Sequence, residues 1–166
     1  MSRFAIVELL DELKFSAGHF MVFSSEHRET MHGHDYELNV AFNTWIERNG
    51  MSFDCKYYKQ KILKICQSLD YRFLLPSQSE YMQLEEAGDQ WLLKFPAETI
   101  SFLKNDVVVL PVSNITMEEL SYWFLQQIVI DEDELRSHGI HGVRVQVRNG
   151  RGASGATVWG DMYISR

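Results

Sequence analysis

Along residues 32–45, Tyr36, Leu38, Val40 and Phe42 fall at every second position. This period-two alternation predicts a strand with one buried face. It closes near Arg48-Asn49-Gly50, a turn signal. An apolar run with interspersed charges over residues 4–14 predicts an earlier strand that stops before Ser16-Ala17-Gly18, and residues 21–31 read as a polar loop. Downstream, Tyr58, Ile62, Ile65, Cys66 and Leu69 are spaced as one face of a helix, with Asp54 placed to cap its start.

Residues 74–111 are less regular. Ala87-Gly88-Asp89 predicts a hairpin turn between strands over 81–86 and 90–95, with further short strands near Ile100 and over 107–110. Thr116-Met117-Glu118-Glu119 reads as a capping box with Thr116 at the N-cap. Leu120, Trp123, Phe124 and Ile128 continue that helix, whose end is expected in the acidic stretch 131–134 or just beyond, where carboxylates oppose the helix dipole. Val143, Val145 and Val147 then alternate with Arg144, Gln146 and Arg148, a strand with an apolar and a basic face. A glycine-rich turn through Gly155 leads to a last strand over 157–164. The order is ββααββ with an insert before the second helix. It predicts an α+β fold, an antiparallel sheet with two helices on one face. Closing several protomers into a shared barrel would remove the exposed sheet edges.

At 166 residues and 45% hydrophobic, the chain is expected to form a single domain over 1–166. Its formal charge of −7 argues against nucleic acid or an anionic membrane as the main partner, while leaving room for a local phosphate-binding patch. Cys55 and Cys66 do not form a CxxC pair, and on a helix they stand ~16 Å apart, too far for a disulfide. No apolar run reaches the length of a membrane span, and the amino-terminal residues lack a signal-peptide cleavage pattern, so a cytoplasmic protein is expected.

Candidate chemistry concentrates in residues 15–36. His32 and His34 flank Gly33 at the start of the alternating strand, and His19 ends the preceding apolar run. On an extended backbone, residues two apart point the same way, ~6.5–7 Å from each other. A third imidazole from a neighbouring segment would complete a site for one ion. Three histidines leave a coordination position open, as in a catalytic zinc, which points to a zinc lyase or hydrolase. His27, His138 and His141 lie outside this pattern and read as surface or turn residues.

FSAGHF, HGHDYEL, GMSFD before a helix, LDYRFLL and NITMEEL occur in this order. With these motifs the chain resembles the 6-pyruvoyl-tetrahydropterin synthase and 6-carboxytetrahydropterin synthase family over nearly its whole length. The resemblance implies the tunnelling fold (T-fold). It also implies association into hexamers made of two trimers with active sites between subunits, and zinc held by His19, His32 and His34. The implied substrate is a dihydropterin such as 7,8-dihydroneopterin triphosphate. The family's usual cysteine base falls at Arg28, and Glu29 follows, giving ExxHGH. This resembles the third, cysteine-lacking type, which cleaves the pterin side chain to 6-hydroxymethyl-7,8-dihydropterin, a folate precursor.

Two more positions depart from the family pattern. The motif LDH reads Leu69-Asp70-Tyr71, so Tyr71 replaces the relay histidine beside Asp70; Asn149 stands where a glutamate anchors the pterin. Asparagine offers one acceptor and one donor in place of two acceptors and a charge, and Glu118 is the nearby carboxylate that could compensate. Glu29 reads as a general base or as a charged loop residue, and Asp70 as a relay member or a helix-end residue. Thr116 is a helix cap that also stands where the ring is contacted. Arg144 and Arg148, with Arg151 just beyond, read as a solvated strand face or as a triphosphate clamp. Two functions follow: a zinc-dependent lyase of the dihydroneopterin side chain, or a divergent zinc-containing pterin- or purine-binding protein with altered or lost catalysis.

Overall fold

The computed structural model describes residues 3–150 and 152–162. Ten strands and three helices are β1 (Arg3–Leu9), β2 (Lys14–His19), β3 (His32–Ile46), α1 (Cys55–Leu69), β4 (Arg72–Pro76), β5 (Gln83–Ala87), β6 (Gln90–Lys94), β7 (Thr99–Leu103), β8 (Val107–Leu110), α2 (Met117–Ile128), α3 (Glu132–Ser137), β9 (Ile140–Asn149) and β10 (Ser154–Gly160). Everything is built on β3. Antiparallel β2 pairs with its first half, antiparallel β1 with its second half, and antiparallel β9 lies along its other side. The sheet runs β10-β9-β3-β2-β4-β8, with β1 also on β3.

The class is α+β, as expected. Helices α1 and α2 supply Tyr58, Ile62, Cys66 and Leu69, and Leu120, Phe124, Leu125 and Ile128, to one core with Leu38, Val40, Phe42, Val143, Val145 and Val147. Full burial of each large apolar side chain contributes roughly 1.5–3 kcal/mol. Asp54 caps α1 as anticipated, its side chain accepting from the Lys56 and Tyr57 amides. Cys55 and Cys66 are free thiols, and burial raises Cys66 to about 12. Among the described residues no helix is long and apolar enough to cross a membrane.

Four sequence expectations change. The single strand expected over 4–14 is two: Asp11, with φ 72°, breaks the chain, and β2 runs through Ser16-Ala17-Gly18, where the strand was expected to stop, to His19. The main sheet is not wholly antiparallel, because β4 joins β2 and β8 joins β4 in parallel. The acidic stretch does not end α2; Asp131 caps a separate helix, α3, and places Glu132, Asp133 and Glu134 in its first turn. There the carboxylates favour the dipole they would have opposed. Gly155 lies inside β10, not in a turn, and the expected last strand beyond 162 falls outside the described residues.

The insert forms its own three-stranded sheet, β5-β6-β7, turned where Ala87-Gly88-Asp89 predicted. It closes a second core of Phe20, Val22, Leu75, Met82, Leu93 and Val107. Strand β4 therefore buries both faces, Leu74 toward the helices and Leu75 toward the insert. A strand buried on both sides reads as a continuous apolar run, which is why Phe73-Leu74-Leu75 shows no alternation. His138 is exposed, but its Nδ1 lies 2.8 Å from the hydroxyl of fully buried Tyr58, which it satisfies.

Gly155 tests how closely α2 rides on β10. A Cβ there would lie 2.6 Å from the Glu118 amide nitrogen and 2.8 Å from the Met117 carbonyl oxygen. Both are backbone atoms at the helix start and cannot rotate away. Gly155→Ala is expected to lower unfolding stability by about 1–3 kcal/mol in urea denaturation, with an unchanged slope.

Candidate metal centre

The pairing of β2 with β3 sets His19 opposite His32 and Ala17 opposite His34. Directly paired residues share a sheet face, as do residues two apart on one strand, so all three imidazoles converge. Their candidate ligand atoms all lie within 4.8 Å of one another. His32 Nε2 and His34 Nε2 are 3.1 Å apart.

The outer nitrogens are already committed. His19 Nδ1 meets the Ile115 carbonyl at 3.0 Å, and His32 Nδ1 meets the Thr30 carbonyl at 2.8 Å. A carbonyl accepts only, so each Nδ1 carries the proton and each Nε2 keeps its lone pair for an ion. His19 Nε2 is buried without any hydrogen-bond partner. An orphaned imidazole nitrogen facing two others is the donor set of a zinc-type site, and the residues fit that ion. Burial is the main cause that lowers His19 to about 4, with His32 and His34 adding to it while the Ile115 carbonyl and Glu29 oppose. Burial also lowers His34, with His32 adding to the effect. Neutral imidazoles, ready to ligate, result.

Glu29 belongs to this cluster. Its Oε2 lies 3.9 Å from His32 Nε2 and accepts from the Met21 amide at 3.0 Å, while its own amide donates to the Met21 carbonyl at 2.9 Å. The loop that carries it is tied down twice more. Asn114 accepts from the Val22 amide and donates to the Val22 carbonyl, at 3.1 and 2.8 Å. Arg28 donates to the Glu29 carbonyl at 2.8 Å and grips Glu98 of the insert through Nε and Nη2, at 2.7 and 3.1 Å. Its guanidinium also lies over the Phe20 and Phe95 rings, 5.2 and 5.9 Å from their centroids. Arg28 thus faces the insert while its neighbour Glu29 faces the histidines.

Other candidates are distributed differently. Asn149 pairs with Tyr36 across β3 and β9, which puts it on the histidine face. Arg148 lies on the opposite face, donating from Nε to Glu37 at 2.8 Å, so one arginine of the expected clamp is held in an ion pair away from the imidazoles. Arg144 shares that opposite face by alternation, and Arg151 lies outside the described residues. Thr116 caps α2 by accepting from the Glu119 amide at 3.2 Å, and the preceding Ile115 carbonyl is the one that orients His19. Glu118 is exposed at that helix start. Glu119 does not close the capping box on Thr116 but accepts from the Ser113 amide.

Asp70 and Tyr71 stand apart from the histidines. Asp70 accepts from the Ser16 amide at 2.8 Å, and Tyr71 is 87% exposed at φ 55°. Tyr71 lines a cavity of about 430 Å³ with Ser16, Gly18, Gly33, Asp35 and Phe73, and His34 also borders it. By strand alternation Ser16, Gly18, Gly33 and Asp35 point to the other side of β2 and β3 from the imidazole rings.

Tyr36 and the Ile115 carbonyl were missed as site groups. Tyr36 is 1% exposed, and its ring centroid lies 6.0 Å from that of His19 and 5.7 Å from that of His34. Burial, then the Glu29 charge, raises its phenol, which stays protonated. Its position two after His34 was the available signal.

The pattern describing 6-pyruvoyl tetrahydropterin synthase matches residues 8–160. A Methanocaldococcus jannaschii protein provisionally named 6-carboxy-5,6,7,8-tetrahydropterin synthase is 29% identical over 143 residues, 84% of this chain and 86% of that one. The 6-pyruvoyltetrahydropterin synthase of Plasmodium vivax has the same fold, with a TM-score of 0.89 at 26% identity, covering 96% of this chain and 99% of that one. Equal figures hold for its variant with a catalytic glutamate replaced by alanine. The Plasmodium falciparum enzyme gives a TM-score of 0.88 at 25% identity over 95% and 99% of the two chains.

The lowered His19 makes metal-free stability depend on pH. Between about pH 6.5 and 4 the unfolded chain binds a proton at this residue that the folded chain does not. Its contribution is therefore complete above about pH 6.5 and shrinks as pH falls toward 4. With chelator present, the urea midpoint is expected to drop from about pH 7 to about pH 5, and to drop less in His19→Gln. For the Arg28 clasp, Arg28→Ala is expected to speed amide hydrogen exchange of residues 22–29 about tenfold or more while leaving β3 protected.

Proposed function

The chain belongs to the 6-pyruvoyl tetrahydropterin synthase family, a lyase family of pterin metabolism, and on that basis we propose a zinc-dependent lyase acting on the side chain of 7,8-dihydroneopterin triphosphate. Its product would be 6-hydroxymethyl-7,8-dihydropterin. The observation that carries this reading is the Glu29 carboxylate, 3.9 Å from His32 Nε2, in a chain with arginine where the family's cysteine base stands. The Plasmodium vivax enzyme, in which a glutamate is a catalytic residue, supports the same assignment.

His19, His32 and His34 would hold zinc, and zinc in such a site polarises oxygens and lowers the pKa of a hydroxyl. Glu29 takes the proton from the side-chain hydroxyl on the second carbon from the ring. That carbon's oxygen becomes a carbonyl as the bond between the two hydroxyl-bearing carbons breaks. The released electron pair is delocalised into the ring imine, and a proton returns to the carbon that remains. The Met21 amide and the Arg28 clasp keep Glu29 from swinging away, so proton transfer needs little reorganisation. Asn149, on the same face beyond Tyr36, would meet the pterin edge with one donor and one acceptor, and Thr116 and Glu118, at the start of α2, would contribute beside it. Arg148 would reach the triphosphate only by leaving Glu37.

Asp70 and Tyr71 are not in contact with the histidine rings of their own chain, and in this proposal they join proton return from a neighbouring subunit. A homo-oligomer, a hexamer of two trimers in a cytoplasmic setting, is part of this proposal, and the exposure of Tyr71 favours it. Asn149 favours a second reading, a zinc-containing pterin- or purine-binding protein that no longer turns over. Both treat residues 1–166 as one pterin-synthase-like domain.

Purified protein mixed with dihydroneopterin triphosphate and followed by mass spectrometry is expected to release 6-hydroxymethyl-7,8-dihydropterin. Glu29→Gln should keep its zinc and lose about 10²–10⁴-fold in kcat, whereas His32→Ala should lose zinc and turnover together. Turnover no higher than that of His32→Ala overturns the lyase, and pterin binding without product selects the second reading.

A further inference from the structure

Two tyrosines are almost completely buried near the ends of this core, and they differ in one respect. Tyr58 has a hydroxyl partner in His138 Nδ1 at 2.8 Å. The Tyr36 hydroxyl is buried with none. Among the described residues, the buried side-chain nitrogen and oxygen atoms without a partner are two, His19 Nε2 and the Tyr36 hydroxyl. Both belong to one cluster, with ring centroids 6.0 Å apart. A buried polar group left unpaired is costly, and phenylalanine would fill the same space without that cost. The Tyr36 ring is fixed by stacking on Phe15, 4.9 Å between centroids at 16°, so the hydroxyl has little freedom to find another partner. The orphaned imidazole nitrogen is accounted for by an ion; the orphaned hydroxyl requires a hydrogen-bond acceptor.

We propose that Tyr36 is a ligand-binding residue of the metal centre, donating its hydrogen bond to the acceptor atom of the small molecule that occupies the metal's open position. The inference rests on the metal site described above and extends it: the bound atom is gripped by the ion on one side and by a phenol on the other. Position on the sheet supports this. Tyr36 stands two residues beyond His34 on β3 and directly opposite Asn149 on β9, so a ligand reaching from the ion toward Asn149 passes over it. Neutral oxygen and nitrogen acceptors and small anions fit such a donor. A cation does not.

The test uses cobalt-loaded full-length protein, whose visible spectrum reports the ion's ligands, titrated with azide as the probe. Tyr36→Phe is expected to bind one cobalt per chain with the same histidine ligands but to bind azide about tenfold more weakly, the loss of one hydrogen bond. With the metal stripped by chelator, Tyr36→Phe is expected to melt at the wild-type temperature or above it, because the hydroxyl has no protein partner to lose. Azide affinity within about twofold of wild type overturns the proposal. A melting point more than about 4 °C lower, or failure to fold, also overturns it, since the hydroxyl would then have a structural partner. If wild type binds no cobalt, the metal centre itself fails and this inference falls with it. Cobalt bound normally with an unaffected Tyr36→Phe removes this inference alone.

Discussion

The register between β2 and β3 is the constraint on which the rest of the molecule depends. Pairing His19 with His32 and Ala17 with His34 puts three imidazoles on one face. A slip of one residue would send His19 to the other face and leave two histidines without a third. The core enforces the register. Phe15 and Tyr36 are directly paired and stacked, and Leu38, Val40 and Phe42 continue the same face into the packing under α1 and α2. Slipping β2 would expose Phe15, whose burial alone contributes roughly 2–3 kcal/mol. Core packing and the convergence of the three imidazoles therefore require the same alignment.

The loop between those strands is the less secure element, and the fold handles it with contacts from far along the chain. Asn114 and the Ile115 carbonyl, at the threshold of α2, hold Val22 and orient His19. Glu98 of the three-stranded insert holds Arg28. The insert thus has a mechanical role beyond its own small core: it anchors one side of the loop whose other side carries Glu29. An exposed arginine–carboxylate pair adds little stability by itself. Here the pair is bidentate, stacked on two rings and joined to the Glu29 carbonyl, so its effect is on where a loop sits.

Charge is sorted by sheet face. The inner face at the carboxyl end of β9 carries uncharged Asn149, near neutral imidazoles whose protonation is opposed by burial and mutual proximity. The outer face carries Arg148 in its ion pair with Glu37, and Lys14 reaches the same carboxylate at 3.5 Å. A net charge of −7 is thus compatible with a site in which the Glu29 carboxylate lies beside the imidazoles.

Periodicity alone was enough to locate β3, α1, the insert hairpin, β8 and β9, because each buries one face, or both, in a run of local residues. The i, i+2 spacing of His32 and His34 was equally legible, since it needs only an extended backbone. Glu29 stood out only through the resemblance of ExxHGH to the family's cysteine-lacking type. What local pattern could not reveal was every feature set by a partner remote in the chain. The carbonyl that orients His19 lies 96 residues away, and the carboxylate that holds Arg28 lies 70 away. Asp11 splits the first strand because β1 and β2 must both lie against one side of β3, and Gly155 is a strand residue because α2 presses its backbone there. Tyr36 read as one more core aromatic until the structure enclosed its hydroxyl without a partner. Sequence spacing determined which side chains could share a face; only tertiary packing decided which of their polar atoms were satisfied and which, like His19 Nε2 and the Tyr36 hydroxyl, were enclosed without a partner.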